Sequence, residues 1–172
     1  ALRKELELAA RMQMMLIPDN KKLPANDKIR VQGFYIPHYE VGGDYYDFLT
    51  LSDTTVGFCI ADVSGKGMSA ALLMSNFQAS LRVLFTANVD LDVLLRKLNT
   101  VVVLNSSGEC FITLFIARFN MKTRVLEYVN AAHTPPVIID VMSGTSSMLR
   151  QSCVGVGMLD EMPQVGKEKI SV

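Results

Sequence analysis

The sequence predicts an α+β domain, and three observations carry that prediction. Short, β-branched apolar runs are separated by polar turns. Two longer segments repeat Leu, Val and Phe at helical spacing. Their order is strands, then helices, then a run of strands, which differs from the strict alternation of a parallel doubly wound sheet.

The elements follow in chain order. Residues 2–17, LRKELELAARMQMMLI, read as a helix stopped by Pro18. Leu2, Leu6, Ala9, Gln13 and Leu16 make one stripe, and Leu8, Met12 and Met15 make a second beside it. Two stripes fit either a helix held between its own domain and a partner helix or an ordinary amphipathic helix. Residues 18–28 are a polar connection with two prolines. Residues 29–36 alternate, with Ile29, Val31 and Tyr35 on one face, and predict a strand; residues 55–61, TVGFCIA, predict a buried one. Residues 68–85 are helical through Leu72, Phe77, Leu81 and Leu84, and Asp90 caps a second helix with Leu91, Leu94, Leu95, Leu98, Val101 and Val102 inward. Residues 111–119 and 124–131 form an antiparallel hairpin, residues 137–141 and 147–150 a second around Ser143-Gly144, and residues 169–172 begin another strand.

Composition bounds the function. The 172 residues, 49% apolar and 20% charged, suit one packed domain and exclude disorder. Seventeen basic residues balance seventeen acidic ones, so no excess charge displaces counterions from a nucleic acid. Cys59, Cys110 and Cys153 are odd in number and widely spaced, which argues against a disulfide framework or a Cys₄ zinc site and for buried thiols in the cytoplasm. The longest charge-free stretch, residues 68–81, carries too many polar side chains for a membrane span. The chain opens within a helix, as a piece of a longer protein would.

Two segments carry chemistry. In Gly42-Gly43-Asp44 an acid follows two glycines that permit close backbone approach. In Ala61-Asp62-Val63-Ser64-Gly65-Lys66-Gly67 an acid ends an apolar strand ahead of a Gly-containing turn into a helix. A carboxylate there is costly to desolvate, and a hard divalent cation offsets that cost. An Asp before Ser-Gly also serves as a turn former, so neither segment fixes a reaction alone. Asp47 reads as a structural carboxylate and His133 as a hydrogen-bonded turn histidine. No P-loop and no G-x-S-x-G elbow occurs, and His38 and His133 are too few for a His-rich metal site.

GGDYYDF at 42–48, ADVSGKG at 61–67, CFITLFIARF at 110–119 and YVNAAHTPP at 128–136, led by ELELAARMQMMLIP at 5–18, occur in one order. This set resembles the bacterial SpoIIE/RsbU-type branch of the PPM (PP2C-like) metal-dependent protein serine/threonine phosphatases, over nearly the whole chain. The resemblance implies an αββα sandwich, two antiparallel sheets flanked by helices, in residues 18–172, with residues 1–17 as a linker or dimerisation helix. It implies a two-metal Mn²⁺ or Mg²⁺ centre in which Asp62 bridges the metals, Asp44 is the first-site acid and the Val63 carbonyl is a backbone ligand. It implies a phosphoserine or phosphothreonine substrate on a partner such as an anti-sigma-factor antagonist, an upstream sensor or receiver domain, and homodimerisation through the N-terminal helix. The family pattern continues to a Thr-Asp-Gly-type motif whose acid completes one metal site. The sequence ends at Val172 before it, so the resemblance implies a domain incomplete at its C-terminus and of little or no activity. A non-catalytic interaction module of the same fold is the alternative. Ala132 and Thr134 stand where the family commonly has Gly and Asn.

Overall fold

The structure is a computed structural model that describes residues 2–37, 40–150 and 152–172; His38 lies outside them. In chain order come α1 (Leu2–Met14), β1 (Asp44–Thr50), β2 (Thr55–Val63), α2 (Met68–Leu84), α3 (Leu91–Ser106), β3 (Ile112–Asn120), β4 (Val125–Ala131), β5 (Val137–Asp140), β6 (Thr145–Met148) and β7 (Glu168–Ser171). Five strands form one sheet in the order β1-β2-β3-β4-β7, and β5 and β6 form a second; these strands pair antiparallel throughout. The α+β class with two antiparallel sheets therefore holds.

Strand alternation divides the large sheet into two faces. One face sends Tyr45, Cys59, Ala61, Val63, Leu114, Ile116 and Val129 into a cluster with Met74, Phe77 and Leu81 of α2 and Leu94, Leu95 and Leu98 of α3. Each fully buried leucine there contributes roughly 2 kcal/mol by leaving water. The opposite face gathers Val56, Phe115, Phe119, Leu126 and Tyr128, with Ile138 of β5 and Leu149 packed against them. Phe115 stacks on Tyr128 at a ring separation of 5.5 Å. Asp90 caps α3 as its sequence predicts, its carboxylate accepting from the Asp92 N–H at 2.8 Å.

Three differences from the sequence expectation have physical causes. α1 ends at Met14, and the Leu16 and Ile17 N–H groups bond three residues back, to Gln13 and Met14. The chain tightens there because a residue before proline avoids the α region. Residues 29–36 form no strand beyond a single bridge between Ala25 and Arg30. The side chain of Asn20 takes both backbone groups of Gly33, donating to its carbonyl and accepting from its N–H, in place of a ladder. Residues 44–50 are a strand that the sequence concealed, because the buried Asp47 interrupts its inward apolar positions.

Over residues 2–17 the two stripes separate in part. Leu6, Ala9, Gln13 and Leu16 turn toward the domain, whereas Leu2, on the same stripe, is exposed, as are Leu8, Met12 and Met15. Among the described residues no helix is long and apolar enough to cross a membrane.

Candidate metal centre

The register of β1 on β2 sets Asp44 opposite Asp62. Their neighbours Tyr45, Ala61 and Val63 are buried on the helix-covered face, so alternation turns both carboxylates to the other face. Both acids are exposed. Among the described residues neither forms an ion pair. The Asp44 carboxyl is held above its ordinary range, first by partial burial and then by the Asp62 carboxylate beside it.

Backbone geometry around the pair is tight. The Gly43 carbonyl accepts from the Val63 N–H at 3.3 Å. A Cβ on Gly43 would meet the Val63 carbonyl oxygen and Val63 Cβ at 2.9 Å each, so only glycine fits. The turn from β2 into α2 requires left-handed backbone at Gly65 and Gly67. Ser64 pins that turn to the start of β3, its N–H donating to the Phe111 carbonyl and its Oγ accepting from the Phe111 N–H.

Two cavities flank the acids. One, of about 330 Å³, is lined by Gly42, Gly43, Asp44, Asp62, Val63 and Lys66, among others. The other, of about 350 Å³, is lined by Phe34, Asp44, Ile60, Asp62 and His133, among others, and Tyr35 borders both. On the far side of β2, Asp62 pairs with Thr113, whose Oγ1 is 2.9 Å from His133 Nδ1. The His133 N–H donates to the buried Asn130 side chain, which fixes the turn after β4. Burial pulls the His133 pKa down against the opposing pull of Asp62 and Asp44. His133 is thus both the hydrogen-bonded turn histidine expected from its sequence and a wall of the site.

Asp47 takes no part. It is buried on the helix-covered face and accepts from Arg82 Nε at 2.7 Å and Nη2 at 2.8 Å, and from the Tyr45 hydroxyl. Tyr35 and Lys66 also border the site. Lys66 belongs to the ADVSGKG segment, whereas Tyr35 comes from a segment whose packing only the tertiary structure displays.

The arrangement fits a hard cation. Two carboxylates opposed across one strand pair repel each other, and a divalent cation between them would offset that repulsion. The donors on hand, Asp44, Asp62 and the Val63 carbonyl, are all oxygen, which favours Mg²⁺ or Mn²⁺ over zinc. Among the described residues no group of three or more His, Cys, Asp or Glu side chains could hold a metal, so these donors would form an open site.

The antiparallel sheet layered by helices has the fold of PP2C domains, as comparison with solved structures shows. The SiaA PP2C domain of Pseudomonas aeruginosa superposes with a TM-score of 0.75 at 16% identity, covering 99% of this chain and 67% of that one. RsbX in complex with magnesium gives a TM-score of 0.61 at 15% identity, covering 76% of this chain and 61% of that one. At such identities the likeness speaks for the fold. Residues 52–172 match the family of stage II sporulation protein E (SpoIIE), and the chain belongs to that family. The phosphoserine phosphatase RsbU of Bacillus subtilis (strain 168) is 33% identical over 134 residues, which are 78% of this chain and 39% of RsbU. The chain thus spans about two fifths of that relative's length.

Proposed function

We propose that this chain is the metal-dependent protein serine/threonine phosphatase domain of a bacterial signalling regulator. The carrying observation is the Asp44–Asp62 pair in register within a SpoIIE-family domain. Its substrate is a phosphoserine or phosphothreonine on a protein partner, of the anti-sigma-factor antagonist type. Asp44, Asp62 and the Val63 carbonyl hold the metal side of the site. When bound there, Mn²⁺ or Mg²⁺ supplies a water of lowered pKa and offsets the charge of the phosphoryl oxygens. Lys66 brings a positive charge to the rim where a phosphate dianion enters. His133, held by Thr113 and Asn130, closes the opposite wall. Residues 1–17 connect this domain to an upstream sensor or receiver domain in the cytoplasm, and the exposed Leu8, Met12 and Met15 are an apolar row suited to a second copy of the helix.

A second reading is a non-catalytic interaction module on the same fold. It is favoured by the absence, among the described residues, of a third acid grouped with Asp44 and Asp62. Phosphate release from a phosphoserine-bearing antagonist protein by a version of the domain extended through a Thr-Asp-Gly-type strand, followed with Mn²⁺ and with EDTA, separates the two. The enzyme reading expects Mn²⁺-dependent release that Asp62→Asn abolishes; tight binding of that phosphoprotein without release supports the module.

A further inference from the structure

Gln13 is the buried polar residue of α1, 7% exposed on a helix whose other face is in water. Its amide grips the backbone of one residue from both sides: Nε2 donates to the Gly42 carbonyl at 2.7 Å, and Oε1 accepts from the Gly42 N–H at 3.0 Å. Nε2 also touches the Met74 sulfur of α2, at 3.9 Å. Gly42 precedes Gly43, whose carbonyl accepts from the Val63 N–H and where an added Cβ would meet the Val63 carbonyl oxygen at 2.9 Å, and Asp44 follows. One side chain therefore restrains both backbone groups of Gly42, in a Gly-Gly segment that has no side chains of its own. A residue chosen only to pack α1 would be apolar, because burying an amide is costly unless both its ends are satisfied. Here both ends are satisfied by the segment that leads directly into the candidate metal-binding acid.

We infer that Gln13 is a positioning residue: through Gly42 it sets the Gly-Gly segment so that Asp44 and the Val63 carbonyl converge on one cation. This rests on the metal-centre reading above. It makes α1 a working part of the site, because a displacement of α1 by one turn withdraws the amide from Gly42 and frees the segment.

The test compares the protein with its Gln13→Met variant, which keeps the side-chain length and apolar packing but cannot bond both ends of Gly42. Two readouts are taken on each. Amide hydrogen exchange without metal is expected to quicken at Gly42–Asp44 in Gln13→Met while the β2 and β3 amides keep their protection. Mn²⁺ titration, followed by the electron paramagnetic resonance of free Mn²⁺, is expected to show affinity falling by about tenfold or more, as for other residues that orient metal ligands. Leu98→Ala, which opens the core at α3 and touches neither α1 nor Gly42, is expected to lower thermal stability and leave Mn²⁺ affinity unchanged. Should Gln13→Met fail to fold, Gln13→Glu keeps the acceptor for the Gly42 N–H and is expected to lose affinity while remaining folded. Unchanged exchange at Gly42–Asp44, or Mn²⁺ affinity equal to that of the parent, overturns the inference. If Asp62→Asn also leaves Mn²⁺ binding intact, the metal centre itself is wrong, and the positioning role falls with it.

Discussion

A Cβ placed on Gly43 would stand 2.9 Å from the carbonyl oxygen of Val63, inside contact distance of the backbone that completes the candidate metal site. The same atom would crowd Ala70 Cβ at 3.2 Å, so α2 blocks the escape route. Gly43→Ala is expected to destabilise the fold by about 2 kcal/mol through overpacking. It should also weaken Mn²⁺ binding, because the atom that must move is the carbonyl. Urea unfolding and Mn²⁺ titration of the variant check both parts.

Asp47 and Asp44 sit three residues apart on β1 yet do unrelated work. Asp47→Asn keeps a buried amide but loses the charge-assisted bonds to the half-exposed Arg82 guanidinium, and is expected to cost about 2 kcal/mol. Mn²⁺ affinity of the folded variant should match the parent. A loss of affinity at full folding would move Asp47 into the site.

Ala132 has φ of 56°, in the left-handed region that penalises a Cβ. The strain sits in the turn after β4 that carries His133. Ala132→Gly is expected to raise stability by about 1 kcal/mol, read as a higher unfolding midpoint. An unchanged or lower midpoint would mean that the extra freedom of glycine in the unfolded chain outweighs the relief.

Asp90 links the start of α3 to Lys167, whose ammonium donates to its carboxylate, and that bond together with the Asp92 N–H holds its pKa below the ordinary value. A carboxyl depressed by folding adds stability that is present above its unfolded pKa and lost as the pH falls through its folded one. Asp90→Ala is therefore expected to cost about 1 kcal/mol near neutrality. The gap to the parent should narrow as the pH falls below the ordinary carboxylate range, which urea curves taken at neutrality and at successively lower pH would display.

The helices and the later strands were legible because their signals are local. Leucine spacing marks α3, the Asp90 cap marks its start, and Asn120 marks the β3–β4 turn by accepting from Lys122 and Thr123. Residues 29–36 misled for the opposite reason. Their alternation is real and buries Ile29 and Tyr35 in part, but Asn20 rather than a neighbouring strand takes up the Gly33 backbone. β1 was hidden because its inward position at 47 is an aspartate whose partner, Arg82, lies on α2. For the site, Asp44 and Asp62 stood out as acids beside glycines, but their opposition is a matter of strand register. Tyr35, Thr113 and the Gln13–Gly42 contact depend on packing between distant segments, and no local pattern encodes them.

The central claim is that Asp44 and Asp62 together bind a divalent cation. Mn²⁺ titration of the parent beside Asp44→Asn and Asp62→Asn, each shown to be folded by circular dichroism, tests it directly. The account predicts saturable binding by the parent and at least a tenfold loss, about 1.4 kcal/mol, in each variant. Binding that survives both substitutions, or a parent that binds no Mn²⁺ at all, would contradict it.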